Sequence, residues 1–183
     1  MTGTSKWDWT PGDDTVKVGD WQDRFEWVEE FQASPDGRSV GAIVKLEDGQ
    51  FSVCVNGTPW EETFDKMWHF RFGPDGRAFA LVAAEGEWTV AVDGQCWENR
   101  FGYVWHPLHS VDGRVIGVAA QQDGRYAMAV NDQLWPADFA NMTYFCLSAD
   151  GSRSAAAVQV RAADSGEIDK FQAGTFTAAM DGQ

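Results

Sequence analysis

The stretch VNGTPWEETF, residues 55–64, decides the fold because two related stretches follow it in the chain. VDGQCWENRF occupies residues 92–101, and VNDQLWPADF occupies residues 130–139. Each copy combines a turn signal with a Trp and with a Phe four residues after that Trp. Self-similarity at a period of roughly 40 residues is typical of repeat architectures and takes precedence over local patterns.

Three columns run through four repeats without a gap. A Trp opens each repeat, a Phe follows four residues later, and an Asp-Gly pair begins fifteen residues after the Trp. The Trp column is Trp21, Trp60, Trp97 and Trp135, and the Phe column is Phe25, Phe64, Phe101 and Phe139. The Asp-Gly pairs begin at Asp36, Asp75, Asp112 and Asp150. These aspartates belong to turn motifs and need no catalytic explanation.

Turn signals divide each repeat into four short strands. An aromatic-rich run ends in SPDG or GPDG, where Pro presets φ and Gly supplies a positive φ. A run of small and aliphatic residues follows, then a Gly-containing turn, a third strand, and a further turn into the Trp-xxx-Phe segment. Four antiparallel strands in about 38 residues make one blade of a β-propeller. We therefore predict an all-β fold, a β-propeller with four blades of four antiparallel strands.

The repeats also predict the domain organisation. We expect an N-terminal extension at 1–19 and propeller repeats at 20–57, 58–94, 95–132 and 133–183. A polar insertion around 161–174 interrupts the second hairpin of the fourth repeat. The segment 20–25, DWQDRF, is predicted to be an outer strand, which could complete the last blade of a closed ring. Three arrangements stay open: a closed four-bladed ring, a half-ring that dimerises to eight blades, and a piece of a longer propeller.

The FxxSPDGR motif resembles WD40-like and TolB-type propeller repeats. The resemblance implies that the strand before the Pro-Asp-Gly turn is innermost and faces the central axis. The strands concerned are 27–31, 68–72, 105–109 and 143–147. It also implies that the Trp-xxx-Phe segments are the outermost strands.

Five residues on these strands are candidates for binding at the axis. His69 and His106 share the column nine residues after the Trp, Trp68 and Trp105 share the column before it, and His109 is the third histidine. The alternative to a binding role is a structural one, in which the histidines are half-buried at strand ends and the tryptophans pack between blades. Glu30 and Tyr144 fill the histidine column elsewhere, so the repeat supplies no third ligand and a metal site is not predicted.

Composition narrows the class of partner. The formal net charge of −14 argues against nucleic acid and anionic lipid, which would repel the chain. No apolar run approaches the length of a membrane span, and the first residues are polar, so we expect a cytoplasmic protein without direct membrane insertion. Three widely spaced cysteines form no CxxC or CxxCH motif for an iron–sulfur cluster or covalent haem. No catalytic motif is present, and we expect no cofactor and no enzymatic activity.

Segments 53–64, 71–94 and 125–130 resemble the TmcD family, the WD-repeat-like cytoplasmic subunit of the transmembrane electron-transfer complex of sulfate-reducing bacteria. The family's chains are longer, so the resemblance implies that this chain corresponds to their N-terminal part. It further implies a non-catalytic scaffold or docking role beside the other subunits of a redox complex, peripheral to the inner membrane. No cofactor-binding residue carries over.

Two functions from different classes therefore stay open. The first is the scaffold of a redox complex. The second is a small-ligand or glycan-binding propeller that uses Trp68, Trp105 and His106. For assembly, we predict either a homodimer or the missing remainder of a longer propeller.

Overall fold

The computed structural model describes residues 17–161 and 174–183. Most of the predicted N-terminal extension and most of the predicted insertion around 161–174 lie outside the described residues. In the described part, one helical turn precedes fifteen β-strands. The only helix found there, α1 at Gly19–Gln22, is far too short to traverse a bilayer.

The strands form four antiparallel sheets in chain order. Sheet 1 contains β1 (Trp27–Ala33), β2 (Val40–Lys45), β3 (Phe51–Val55) and β4 (Thr58–Pro59). Sheet 2 contains β5 (Lys66–Phe72), β6 (Ala78–Ala84), β7 (Glu87–Val92) and β8 (Gln95–Cys96). Sheet 3 contains β9 (Tyr103–His109), β10 (Ile116–Gln122), β11 (Arg125–Val130) and β12 (Gln133–Leu134). Sheet 4 contains β13 (Asn141–Leu147), β14 (Ser154–Arg161) and β15 (Thr175–Met180). The predicted fold class, an all-β chain of repeated propeller-type sheets, is confirmed.

The chain divides into two compact units. One runs up to Ala84 and adds Ala91–Gln95, and it holds sheet 1 with β5 and β6. The other comprises Glu85–Val90 and Cys96–Gln183, and it holds sheets 3 and 4. Within every sheet the first strand lies at one edge, because hydrogen bonding follows chain order.

The turn in VNGTPWEETF works as its sequence indicates. Asn56 and Gly57 both have positive φ, 49° and 86°, as a tight hairpin of the type I′ class requires. The Asn56 Oδ1 also accepts the backbone N–H of Val40 at 2.9 Å, which ties the turn to the start of the second strand. The same side-chain contact recurs in the other repeats, in the pairs Asp93–Ala78, Asn131–Ile116 and Asp181–Ser154.

The aspartates of the first turn are structural, as their motif indicates. In the first repeat, the Ser34 hydroxyl donates to the Asp36 carboxylate at 2.6 Å, and the same carboxylate accepts the Arg38 N–H at 3.0 Å. These two hydrogen bonds lower the pKa of Asp36 below its usual value. The arrangement recurs around Asp112 and Asp150.

The outermost segments are shorter strands than predicted. Each consists of a two-residue strand followed by an isolated bridge at the Phe of the repeat, for example between Phe51 and Phe64. Between them, the Trp60 N–H donates to the Val53 carbonyl at 2.8 Å. The Trp and Phe of each repeat are thus held beside the third strand of the sheet.

The prediction of an outer strand at 20–25 is wrong. This segment forms α1 and a turn, in which the Phe25 N–H donates to the Trp21 carbonyl at 3.0 Å. Outer strands in the other repeats hydrogen-bond to a preceding third strand, and the described residues contain no such strand before Trp21. Helical bonds satisfy the backbone instead. Trp21 and Phe25 still enter the core, packed with Ala42, Val44 and Cys54. Sheet 4 accordingly has three strands in the described residues rather than four.

Candidate functional site

A β-bulge interrupts the first strand of every sheet at the column nine residues after the repeat Trp. The pairing with the second strand shifts register there, as between Trp68 and Arg71 in β5. The residue at the bulge has a left-handed backbone in all four repeats: Glu30 (φ 53°), His69 (φ 56°), His106 (φ 55°) and Tyr144 (φ 53°). Bulges re-aim side chains. The two histidines therefore share a column because the backbone creates a special position there, filled by different residues in different repeats.

In the first unit, the bulge residue Glu30 clamps two sheets together. Its Oε2 accepts the backbone N–H of Phe70 at 3.1 Å and lies 3.2 Å from the guanidinium of Arg71. His69 is half-buried, with its ring centroid 6.0 Å from that of Phe79. The neighbouring Trp68 is 39% exposed on the edge strand. The column serves packing and clamping between neighbouring sheets here.

In the second unit, the bulge residues are more open. His106 is exposed, and its ring centroid lies 5.3 Å from that of Phe145 in sheet 4. Tyr144 is 87% exposed, so its phenol is available to a partner. His109 is half-buried at the end of β9, opposite Ile116. Among the described residues, no group of three or more His, Cys, Asp and Glu side chains is arranged to hold a metal ion.

An aromatic cavity lies on sheet 3 around one of the predicted residues, Trp105. It has a volume of about 360 Å³ and is lined by Tyr103, Trp105, Gln121 and Tyr126. Tyr103, Gln121 and Tyr126 form one transverse row, because Gln121 pairs with both tyrosines in the strand register. Trp105 stands in the next row, opposite the small Ala119. The amide is therefore flanked by aromatic side chains on either side.

The rings of this cavity are fixed by their contacts with one another. Tyr103 stacks on Trp105 with centroids 5.9 Å apart, and Trp105 meets Tyr126 edge-on at 6.0 Å. Trp105 also contacts Phe145 edge-on at 5.9 Å. Burial raises the pKa of the Tyr103 phenol above its usual value. Ring faces with one amide and two phenol groups suit a ligand that has both an apolar face and hydroxyl groups.

The structure distributes the five predicted residues over two units. Trp68 and His69 lie on β5 in the first unit, and Trp105, His106 and His109 lie on β9 in the second. Their predicted role in binding stays a prediction. Tyr103, Gln121 and Tyr126 were missed by the sequence reasoning. The available signal was the alternation in Tyr-Val-Trp at 103–105, where Val104 is fully buried and the two flanking rings share the other face.

Sheets of this kind, repeated in chain order, define the β-propeller class. Similar solved structures include TolB from Acinetobacter baumannii, with 14% identity, a TM-score of 0.43, and coverage of 83% of this chain and 40% of TolB. The β-propeller domain of the Trilobed protease from Pyrococcus furiosus, described as having an open velcro topology, shares 10% identity with a TM-score of 0.48. That match covers 84% of this chain and 53% of the domain.

A third similar structure is the Dos1 propeller, with 10% identity, a TM-score of 0.44, and coverage of 70% of this chain and 38% of Dos1. The chain thus spans about 40% to 53% of the length of the first two propellers and less of the third. No protein-family model matches the sequence. No curated protein matches it either.

Proposed function

We propose that this chain is a non-catalytic β-propeller scaffold that docks protein subunits of a membrane-associated electron-transfer complex on its cytoplasmic side. The observation that carries the docking role is a set of exposed aromatic side chains on the edge strands. Trp27 and Phe31 are each 43% exposed, Trp68 is 39% exposed, and Tyr144 is 87% exposed. Large aromatic side chains are enriched in protein interfaces, where they supply most of the binding energy.

The electron-transfer context is supported by the resemblance of segments 53–64, 71–94 and 125–130 to the subunit of such a complex. The strongly acidic surface adds a physical argument. A net charge of −14 steers the chain towards a basic protein surface and away from anionic lipid. In this proposal, the scaffold holds the other subunits of the complex in place, and those subunits carry the redox groups.

Affinity capture from a membrane extract of a sulfate-reducing bacterium tests this function. The immobilised chain is expected to retain proteins that show haem absorption or contain iron–sulfur clusters. Tyr144→Ala should weaken retention, because it removes an exposed aromatic side chain. Val111→Ala is the matched control, since Val111 is 72% exposed but lies in the turn that follows β9 rather than on an edge strand. Retention of no haem or iron–sulfur protein would contradict the electron-transfer role, and equal retention by both variants would contradict the docking surface.

The aromatic cavity on sheet 3 favours a second function, the binding of a small ligand or glycan. Its three rings and the Gln121 amide provide stacking faces and hydrogen-bonding groups together. Sugars present C–H faces that stack on aromatic rings and hydroxyl groups that bond to amides.

Titration with a panel of neutral mono- and disaccharides, followed by Trp fluorescence, tests this alternative. Trp105→Ala is expected to abolish the response. Trp68→Ala is the matched control, because the positions of Tyr103 and Gln121 are filled in sheet 2 by Lys66 and Ala83. No saturable response in the parent protein, or a response that Trp105→Ala leaves intact, would exclude a glycan site in this cavity.

A further inference from the structure

One side of sheet 4 is apolar and uncovered in the described residues. We propose that this side, the terminal face, binds sheet 1 of a second copy of the chain, with Phe31 of that copy packed against the Ala155 methyl group. The terminal face is defined by Cys146, Ala155, Ala157, Phe176 and Ala178. The inference does not depend on the scaffold function or on the ligand site.

The terminal face is shallow and carries no charge. It surrounds a depression of about 400 Å³ whose lining residues are all uncharged: Tyr144, Cys146, Ala155, Ala156, Ala157, Phe176, Thr177 and Ala178. The opposite side of the same sheet is core, since Ala156 and Val158 are 3% and 0% exposed. Strand alternation explains the difference, because neighbouring residues of β14 point to opposite sides. An uncharged face fits an apolar partner surface rather than a basic one.

The same side of the preceding sheet is covered by its neighbour. In sheet 3, Trp105, Leu108 and Ala119 pack in one cluster with residues of sheet 4. Strand register shows the equivalence of the two faces: Ala119 pairs with Met128 in sheet 3, as Ala157 pairs with Ala178 in sheet 4. The terminal face of sheet 4 therefore corresponds to the side of sheet 3 that is covered by the next sheet of the chain. The surface expected to cover the terminal face is therefore another sheet of the same repeat type.

The first unit shows how one sheet seats on the next. Phe70 of β5 packs against sheet 1 so closely that a Cβ on Gly41 would lie 2.5 Å from its Cζ. Phe70 is fully buried as a result. Phe31 holds the same position in the first repeat, ten residues after the Trp, yet it is 43% exposed. Phe31 is a side chain of the inserting type whose seat is not supplied by the described residues.

The terminal face offers the equivalent position with one difference: Ala155 carries the Cβ that Gly41 lacks, so Phe31 would pack against that methyl group rather than as close to the backbone as Phe70 does at Gly41. Ala155 in β14 holds the register position of Gly41 in β2, because each pairs with the last residue of the third strand in its sheet, Met180 and Val55 respectively. Ala157 and Ala178 keep the surroundings of that position shallow. The described residues thus carry both halves of one sheet-to-sheet contact, and a second copy of the chain can present to each half its counterpart. The contact is heterologous, so two different faces meet.

Light scattering of the purified chain tests the proposal. The expected mass at about 0.1 mM is at least twice the 20.3 kDa of one chain. Phe31→Glu and Ala155→Arg act on opposite sides of the contact, and each is expected to weaken association at least tenfold. Val111→Glu, an exposed turn substitution, should leave the mass unchanged. Far-UV circular dichroism checks that every variant is folded.

Mixing the two variants separates a heterologous contact from a symmetric one. Phe31→Glu keeps an intact terminal face, and Ala155→Arg keeps an intact Phe31, so the mixture is expected to recover assemblies that neither variant forms alone. Thiol labelling of Cys146 in a Cys96→Ser background provides a second readout. Cys146 should be protected in the parent assembly and labelled in the Phe31→Glu variant.

Four outcomes would overturn the proposal. A parent chain that stays monomeric excludes the second copy. Association that both variants leave unchanged places the contact elsewhere. Failure of the mixture to associate excludes the heterologous pairing. Protection of Cys146 in a monomer shows that a segment of the same chain covers the terminal face instead.

Discussion

Gly41 and Phe70 form a tightly fitted pair, which predicts a strongly non-additive response to mutation. A methyl group on Gly41 would lie 2.5 Å from Cζ and 2.9 Å from Cε1 of Phe70, and 3.2 Å from Cζ of Phe72. Contacts this short force side chains or backbone to shift. We expect Gly41→Ala to lower the free energy of unfolding by about 1–3 kcal/mol, the usual range for overpacking.

Removal of the Phe70 ring should abolish the destabilising effect of Gly41→Ala. Phe70 is fully buried and meets Phe72 edge-on with centroids 5.4 Å apart, so Phe70→Ala should cost about 3–5 kcal/mol by itself. In that background, the methyl group introduced by Gly41→Ala enters vacated space. The substitution should then cost about 0 kcal/mol, and the smaller loss of backbone entropy for Ala than for Gly in a strand would add up to about 1 kcal/mol of stability. The expected coupling between the two sites is therefore about 1–4 kcal/mol.

Urea unfolding of the four proteins, followed by far-UV circular dichroism, measures this coupling. Gly117→Ala is the matched control, because Gly117 holds the same register position in sheet 3 and a Cβ there meets its nearest atom at 3.7 Å. That variant should stay within about 0.5 kcal/mol of the parent protein. Additive effects of Gly41→Ala and Phe70→Ala would refute the close packing of β5 against sheet 1.

Three further predictions concern a turn, a core hydrogen bond and a thiol. Hydrogen bonds from serine hydroxyls and a backbone N–H lower the pKa of Asp150 to about 2, so its contribution to stability should be complete above about pH 4 and lost as the pH falls towards 2; the stability difference from Asp150→Asn should shrink over that range in acid titrations. Trp135→Phe removes the buried 2.8 Å hydrogen bond from Nε1 to the Ser154 hydroxyl and should cost about 1–2 kcal/mol in urea unfolding. Burial raises the pKa of Cys54 to about 11, so in the Phe31→Glu variant, whose terminal face is expected to be uncovered, a thiol reagent at neutral pH should modify Cys146 well before Cys54, with mass spectrometry to identify the site.

The sheets were predictable because each turn carries its own chemistry. Asn56 and Gly57 specify a hairpin through their positive φ, and the Asn56 side chain adds a bond to the second strand that sequence spacing repeats. The segment at 20–25 was wrongly predicted to be an outer strand because its Trp and Phe match the repeat. An outer strand hydrogen-bonds to a preceding third strand, and the described residues contain none before this segment. Side-chain columns predicted burial correctly at Trp21 and Phe25, while hydrogen-bonding partners decided the secondary structure.

The candidate sites were less predictable for a related reason. Trp105 was visible as part of a repeated column, but the cavity around it depends on which residues stand opposite across the strands. Tyr126 is distant from Tyr103 in the sequence and comes beside it only through the pairing of both with Gln121. Register of this kind follows from turn lengths, which vary between the repeats.

The bulge column shows how one architectural position acquires separate roles. A non-Gly residue with positive φ is unfavourable by roughly 1 kcal/mol or more, and four repeats maintain one at the same place. What the position provides is a side chain re-aimed off the edge strand. At Glu30, the chain uses it to clamp Phe70 and Arg71, and at Tyr144 it leaves a phenol 87% exposed. The shared column of His69 and His106 is therefore evidence for shared backbone geometry, and any binding role of either histidine must be argued from its own surroundings.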